Sequence, residues 1–446
     1  MKDALPMDKP ILPLEDKSLL ICFAYAPAGL GHLRVTDALY HGLPKGTNTP
    51  LLLGSQDTTI TYLHRFMSLN SFIRHLTVWA EKGHVEDITT FIYRYFLRSH
   101  TGLLYEQMKT IINESYTVPS KILIIATHFG LAHQLSAIKT RLEKETRIKV
   151  ILVVQVTDDS PHHIWFIPGS DLIFAPSVRT QRELLRYGEK IHAGVPVVVN
   201  PYPISPILSR SLTEKQYKEK LMQVDKNSTL PIQVIIPISG AAVGTDYFTV
   251  LTAELNKKSS RFLFHIVCKD APFTKKFISE VAVHEYIRIY GAQEDRKVIN
   301  IYEDIYQKNV ISIEITKPSE QSFKALLDCR AESASLLLFT EPVGRQEYDN
   351  LDFLKRHKLI PSNQDQELLT HMKINLDVLS KASSWRGIRI PQNPVMAAQF
   401  IYWCLETGIF SKMMRYKLVI ANGHLNQNEL FPDGVQTFWK KVAALL

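Results

Sequence analysis

The chain has little cysteine and no long apolar run, and each shortage removes a class of protein. Its four cysteines, Cys22, Cys268, Cys329 and Cys404, lie far apart and form no C-x-x-C pair. That spacing encodes neither a zinc module nor a disulfide framework and fits a reduced, cytoplasmic protein. No apolar stretch approaches the roughly 18–20 residues that a bilayer span needs. Met1 to Lys17 is rich in proline and charge and lacks the apolar core of a signal peptide. Internal repeats and low-complexity tracts are absent as well.

What is present is ordinary globular sequence. Hydrophobic residues make up 45% and charged residues 22% of the 446 positions, which excludes disorder as the leading class and implies two or three domains. The formal charge of +8 favours an anionic partner without choosing among nucleic acid, phosphate-bearing substrate and anionic membrane. No nucleic-acid-binding module is recognisable, so none is expected.

Short apolar runs alternate with stretches of helical periodicity, the pattern of a parallel sheet covered by helices. The spacing predicts strands at about Ser18–Ala24, Lys121–Ala126, Lys149–Val156 and Asp171–Ala175, with helices at Gly31–His41, Leu131–Glu143 and Arg179–Tyr187. A helical, aromatic-rich segment from Tyr62 to Tyr116 interrupts this series. Residues 194–206 hold four prolines and predict an extended linker. Beyond it the alternation resumes, with strands at Ile232–Pro237, Phe262–Val267, Val310–Ile315 and Ser335–Phe339. Helices fit Thr245–Leu255, Gln321–Asp328, Glu347–Arg356, Met396–Glu406 and Gly434–Leu445. The stretch 360–395 is polar and irregular. The expected organisation is a domain over residues 1–195, a second over 196–425, and a C-terminal helix within 426–446 packing back on the first. Ligands of open α/β sheets bind outside the carboxyl ends of the strands, here in the cleft between two sheets.

Four segments follow strands and carry chemistry. In Ala26-Pro27-Ala28-Gly29-Leu30-Gly31-His32, the two glycines let backbone approach a ligand at a helix N-terminus, and His32 is placed to accept a proton. In Val156-Thr157-Asp158-Asp159-Ser160-Pro161-His162-His163-Ile164-Trp165, polar and aromatic residues bunch past a buried strand end, as a substrate pocket requires. Its His and Asp residues are metal-ligand types, but chain neighbours rarely converge on one ion, so no metal is expected. Ser239 to Thr245, with Gly240 and Gly244, forms a candidate diphosphate cradle of backbone N–H groups and lacks the Lys-Ser/Thr ending of an ATP-binding loop. Glu341 to Asn350 places Gln346, Glu347 and Asn350 near a helix start, where amides and carboxylates match sugar hydroxyls. The first and last segments also have a plain structural alternative, an ordinary strand-to-helix turn and a capped surface helix.

Taken in order, these segments resemble the glycosyltransferase family of bacterial diacylglycerol glucosyltransferases and plant monogalactosyldiacylglycerol synthase. The peptidoglycan N-acetylglucosaminyltransferase is a more distant relative. The family's Gly-x-Gly-His turn resembles Gly29 to His32, and its Val-Thr-Asp followed by His and Trp resembles Val156 to Asp158 with His162, Trp165 and a downstream Asp171. Its Gly-Ile-Pro-Val hinge is similar to Gly194-Val195-Pro196-Val197. Its Thr-Lys-Pro element resembles Thr316-Lys317-Pro318, and its Gly-Gln-Glu-x-x-Asn resembles Gly344 to Asn350 with one extra residue. The resemblance implies a GT-B fold, two doubly wound Rossmann-like domains facing across a cleft. It implies transfer of a hexose from a UDP-sugar to a membrane-lipid hydroxyl, with inversion and without a metal or other cofactor. His32 would be the base. Gly240, Gly244, Thr245, Lys317, Gln346, Glu347 and Asn350 would hold the donor, and Gly29, Gly31, Asp158, His162 and Trp165 the acceptor.

Two departures stand out. After Thr-Lys-Pro the family has Gly-Gly and then a glutamate for the nucleotide ribose. This chain has Ser319-Glu320 and then Ala325, leaving Glu320 or Glu314 as candidate substitutes. They motivate one alternative, a relative that keeps the fold as a binding or regulatory protein; a nucleotide-sugar 2-epimerase-like enzyme, which needs no lipid, is a third reading. In Tyr62–Tyr116, aromatics interleave with Arg65, Arg74, Lys82, Arg94 and Arg98, a composition that suits an anionic headgroup layer on the inner face of a membrane. Aromatic stripes also serve as domain core.

Overall fold

The computed structural model describes residues 12–25, 30–54, 83–99, 101–115, 118–238, 240, 242–416 and 429–446. Gly29 and the Tyr62–Lys82 part of the aromatic segment lie outside them.

The first sheet contains β1 (Leu19–Tyr25), β2 (Leu51–Gly54), β3 (Lys121–Ala126), β4 (Lys149–Gln155), β5 (Leu172–Ala175) and β6 (Val197–Val199). All pair in parallel, in the order β2-β1-β3-β4-β5-β6. β3 and β4 are buried over nearly their whole length, as expected of strands with helices on both faces. The helices are α1 (Leu30–His41), α2 (Gly83–Ser99), α3 (Gly102–Asn113), α4 (Phe129–Thr146) and α5 (Val178–Lys190). The second domain opens with α6 (Glu214–Gln223). Its strands are β7 (Ile232–Pro237), β8 (Phe262–Lys269), β9 (Ile287–Ala292), β10 (Ile313–Thr316), β11 (Leu336–Phe339) and β12 (Gly387–Arg389). They too are parallel, in the order β12-β11-β10-β7-β8-β9, which is the Rossmann order. Its further helices are α7 (Thr245–Lys258), α8 (Lys275–Val281), α9 (Asp295–Lys308), α10 (Arg345–Arg356), α11 (Asn363–Thr370), α12 (Leu376–Lys381), α13 (Pro394–Glu406) and α14 (Ile409–Met413). Two doubly wound α/β domains are thus present, as the GT-B resemblance implies.

Three expectations need correction. The proline-rich stretch is not a free tether. β6 adds to the first sheet beyond residue 195, and the Asn200, Tyr202 and Ile204 side chains that follow are buried. An edge strand tolerates Pro196 beside it because that residue's carbonyl still accepts from Ile173 N at 2.9 Å. Gln321–Asp328 is a 3₁₀ turn over Glu320–Leu326 rather than an α-helix, and its side chains face inward on nearly every side. The irregular stretch 360–395 holds α11, α12 and β12, the last pairing with β11.

The chain end closes the fold. α15 (Gly434–Ala443) lies against the first domain, where Trp439 Nε1 donates to Leu39 O at 3.0 Å and Phe438 packs 4.7 Å from the Phe174 ring. Tyr202 stacks on Phe323 at 3.7 Å, and one apolar cluster runs from Phe23 and Trp439 through Tyr202 to Phe323 and Phe353. Trp439→Ala removes a fully buried anchor of that cluster. It should cost about 3–5 kcal/mol in urea unfolding, and a cost under about 1 kcal/mol would show that α15 contributes little to the first domain.

Candidate functional site

In each sheet the strand order reverses at one point, between β1 and β3 in the first and between β7 and β10 in the second. Loops leaving the carboxyl ends of such neighbouring strands diverge and leave room for a ligand. The loop after β1 leads to Gly31 and His32, and the loop after β3 leads to His128. The loop after β7 leads to Gly240, Gly244 and Thr245, and the loop after β10 is Lys317 to Glu320. The two reversal points face one another: a Cβ added to Gly31 would come 2.9 Å from Glu320 Oε2.

On the first-domain wall, His32 Nδ1 lies 2.9 Å from Thr157 Oγ1. That contact fixes the imidazole ring, and Thr157 is itself held because Tyr202 OH donates to its carbonyl at 2.9 Å. The His128 ring meets His32 edge-on at 5.2 Å, and Trp165 lies 6.1 Å away. Asp158 adjoins this wall and accepts from Ser160 N at 3.0 Å. The structure therefore brings together Gly31, His32, Thr157, Asp158 and Trp165. His162 sits further along the seam beside Glu86 and Arg345, at 3.7 and 3.5 Å. The metal-ligand types of this segment go to separate partners. Asp159 is bound by Arg356, Ser177 and Thr180, and His163 by Asp87.

The second-domain wall is led by Arg34, which crosses the seam to pair with Glu320 and lies 5.0 Å over the Tyr302 ring. With its amide oxygen turned to face Arg34, Gln321 accepts from Nη1 at 2.7 Å. Beneath lies a buried cluster in which Lys324 donates to Glu314, Tyr302 and Tyr306. Burial pulls the Lys324 ammonium down to about 8 against the opposing pull of Glu314. Glu314 is 0% exposed, which removes it as a substitute contact for a ribose. Ala325 is equally buried, so a carboxylate there would point into apolar core. Beside Arg34 the seam leaves a cavity of about 40 Å³, lined by Tyr202, Ser205, Tyr302, Glu303 and Lys324, with room for water rather than a sugar.

Across β7, Gly244 adopts φ +87°, open to glycine at no steric cost, and starts α7 at the strand's carboxyl end. Gly244 and Thr245 at the start of α7 and Lys317 thus follow the carboxyl ends of the neighbouring strands β7 and β10. Gln346 is exposed at the start of α10. Glu347 accepts from Val343 N at 2.6 Å, which ties the first turn of α10 to the loop before it. Asn350 is an interdomain strap, accepting from Asp159 N at 2.9 Å and donating to Pro318 O at 3.1 Å. Next to it Asp349 accepts from Ser160 Oγ at 2.7 Å and from Arg179 at 2.9 Å. Sequence reasoning missed Arg34, His128, Asp349 and Arg345. His128 follows a strand as His32 does, but only the strand order shows that both loops belong to one reversal point.

No family model and no curated protein matches the chain. Among solved structures, similar ones include MnaA of S. aureus with UDP, at 9% identity over 96% of both chains and a TM-score of 0.48. UDP-GlcNAc 2-epimerase of Neisseria meningitidis bound to UDP-GlcNAc is 11% identical over 96% of this chain and 99% of that one, with a TM-score of 0.46. MurG of Acinetobacter baumannii is 10% identical over the same shares, also at 0.46.

Burial pushes the Asp158 carboxyl up to about 7, against His162 and the Ser160 N–H, which favour its charged form. A carboxyl raised in the folded state stabilises the fold below its unfolded value and loses that contribution as pH rises to the folded value. Asp158→Asn should therefore flatten the fall in melting temperature between about pH 4 and 7. At pH 8 the variant should be the more stable protein; a parallel pH profile in both would mean that Asp158 titrates normally.

Proposed function

We propose that the chain is a glycosyltransferase that moves a hexose from a UDP-sugar to a diacylglycerol-like lipid hydroxyl, working peripherally on the inner face of a membrane. The observation that carries this reading is a path of aromatic rings from an exposed apolar helix face to His32. Ile88, Phe91, Ile92, Tyr95 and Phe96 lie at helical spacing on α2 and are each more than half exposed, while Glu86 and Thr90 on the same helix are buried. The apolar side of α2 thus faces outward, the reverse of a core helix and the orientation a lipid interface covers. Tyr93 of α2 lies 6.2 Å from Phe129, which is 4.9 Å from His128 and 5.5 Å from Trp165; His128 in turn meets His32. An acceptor entering from lipid would follow these rings to the imidazole.

In this reading His32 takes the proton of the acceptor hydroxyl as its oxygen attacks the anomeric carbon of the sugar. The bond to the diphosphate breaks on the opposite face, which inverts the centre. Negative charge growing on the departing UDP would be met by the N-terminus of α7, with Gly240, Gly244 and Thr245, and by Lys317. Gln346 and Glu347 would contact the donor sugar. The resemblance through Gly29–His32, Val156–Trp165, Thr316–Pro318 and Gly344–Asn350 supports the same assignment.

One observation favours a second reading, a binding relative without transfer. The Glu320 carboxylate, paired with Arg34, lies over Gly31 at the mouth of α1 and fills the space between the two reversal points. Vesicles of diacylglycerol and anionic lipid, incubated with UDP-glucose, UDP-galactose or UDP-N-acetylglucosamine, should yield glycolipid. His32→Ala should lower turnover by about 10²–10⁴-fold while leaving the thermal shift caused by UDP intact. Phe91→Ser with Phe96→Ser should reduce both vesicle co-sedimentation and turnover. No glycolipid from any donor, with UDP still bound, favours the binding relative. Conversion of a UDP-sugar without vesicles favours the 2-epimerase-like enzyme.

A further inference from the structure

At the far end of α1 from His32, Asp37 and His41 stand four residues apart and therefore project from the same side of the helix. Glu303 of α9 faces them from the second domain. One ligand atom from each of the three lies within 4.8 Å of the other two. Asp37 is 2% exposed and Glu303 5%, so two carboxylates from different domains are buried side by side.

The two oxygens of Asp37 differ. Oδ1 faces Arg296 Nε at 3.4 Å, and that guanidinium rests 4.8 Å over the Tyr40 ring. Oδ2 is buried and has no hydrogen-bond partner among the described residues, although His41 Nε2 lies 3.2 Å from it. Two atoms ligating one tetrahedral zinc at about 2.0–2.2 Å are separated by about 3.3 Å. The imidazole and carboxylate are therefore already spaced as neighbouring ligands. His41 is the partly exposed member and leaves a way in from solvent.

We infer that Asp37 Oδ2, His41 Nε2 and the Glu303 carboxylate form a binding site for a zinc-like divalent cation that joins the two domains at their seam. One imidazole and two carboxylates suit a borderline cation, with water completing the tetrahedron. Arg296 stays on Oδ1 and offsets part of the carboxylate charge without occupying the ligand position. Asp37 and His41 lie about 8 and 14 Å along the helix axis from His32, so the site is structural and independent of the transfer reaction.

The test is titration of the full, untagged chain with Co²⁺ and Zn²⁺, read by Co²⁺ absorption, calorimetry and melting temperature. The wild type should take up one equivalent saturably, with a tetrahedral Co²⁺ spectrum and a raised melting temperature. Loss of groups one shell beyond a metal costs about 10–100-fold in affinity, so His41→Ala and Glu303→Gln should each cost at least that. His41 is partly exposed, so H41A keeps the comparison valid even if E303Q folds poorly. No saturable uptake by the wild type, or unchanged affinity in a folded variant, overturns the proposal.

Discussion

Arg34 leaves α1 of the first domain and ends inside the second, between Glu320, Gln321 and the face of Tyr302. This crossing fixes how the two sheets face each other. A buried ion pair gives little net stability once the cost of desolvating both charges is counted, yet removing one partner costs about 3–5 kcal/mol because the other is left uncompensated. Its main effect is therefore on register. Gly31 leaves room for the Glu320 carboxylate, since a Cβ there would come 2.9 Å from Oε2. The glycine that the resemblance assigns to ligand approach serves here first as the space in which the domains meet.

The rest of the seam follows from that registration. With the reversal points opposed, Asn350 spans from Asp159 to Pro318, and Asp349 receives Ser160 and Arg179. Arg356 reaches Asp159, and Arg345 reaches Glu86 at 3.0 Å. Burial disfavours the Glu86 carboxylate, but His162, the His163 N–H and Arg345 outweigh it and hold the group at about 2. A polar network of this kind stabilises one arrangement when its members are satisfied and penalises others when they are not. The α1 end of the seam, where Asp37 and Glu303 meet, balances its charge less completely.

Much of this architecture was legible in residue order. β3 and β7 begin and end where their apolar runs do, because strands buried on both faces leave a continuous hydrophobic signal. The strand-turn-helix junctions that carry His32, Gly240 and Gly244 were legible because glycine marks their tightest point. The short edge strands β6 and β12 escaped, since three residues of pairing produce no periodicity and their register is set by neighbours distant in sequence. Asn350 carries an amide, which suits a diol and a backbone equally well, and its partners here are Asp159 N and Pro318 O. Arg34 and Glu320 are 286 residues apart, and no local pattern marks either as half of a pair.

The Arg34–Glu320 contact also bears on how an anionic donor would enter. While the pair is closed, the carboxylate blocks the mouth of α1, yet its charge is offset by Arg34. Moved aside, it would leave a guanidinium beside the N-terminus of a helix, two features that attract phosphate. Opening would cost about 3–5 kcal/mol if the charges stayed dry, and less if water entered between them. A ligand bound at a micromolar dissociation constant supplies about 8 kcal/mol. A donor bound that tightly after the pair has opened would need a gross interaction larger than this by the cost of opening, so the closed pair lowers donor affinity without excluding transfer. What separates an enzyme from a binding relative is whether Arg34, once released from Glu320, finds a phosphate oxygen within reach of the turn at Gly240 to Thr245.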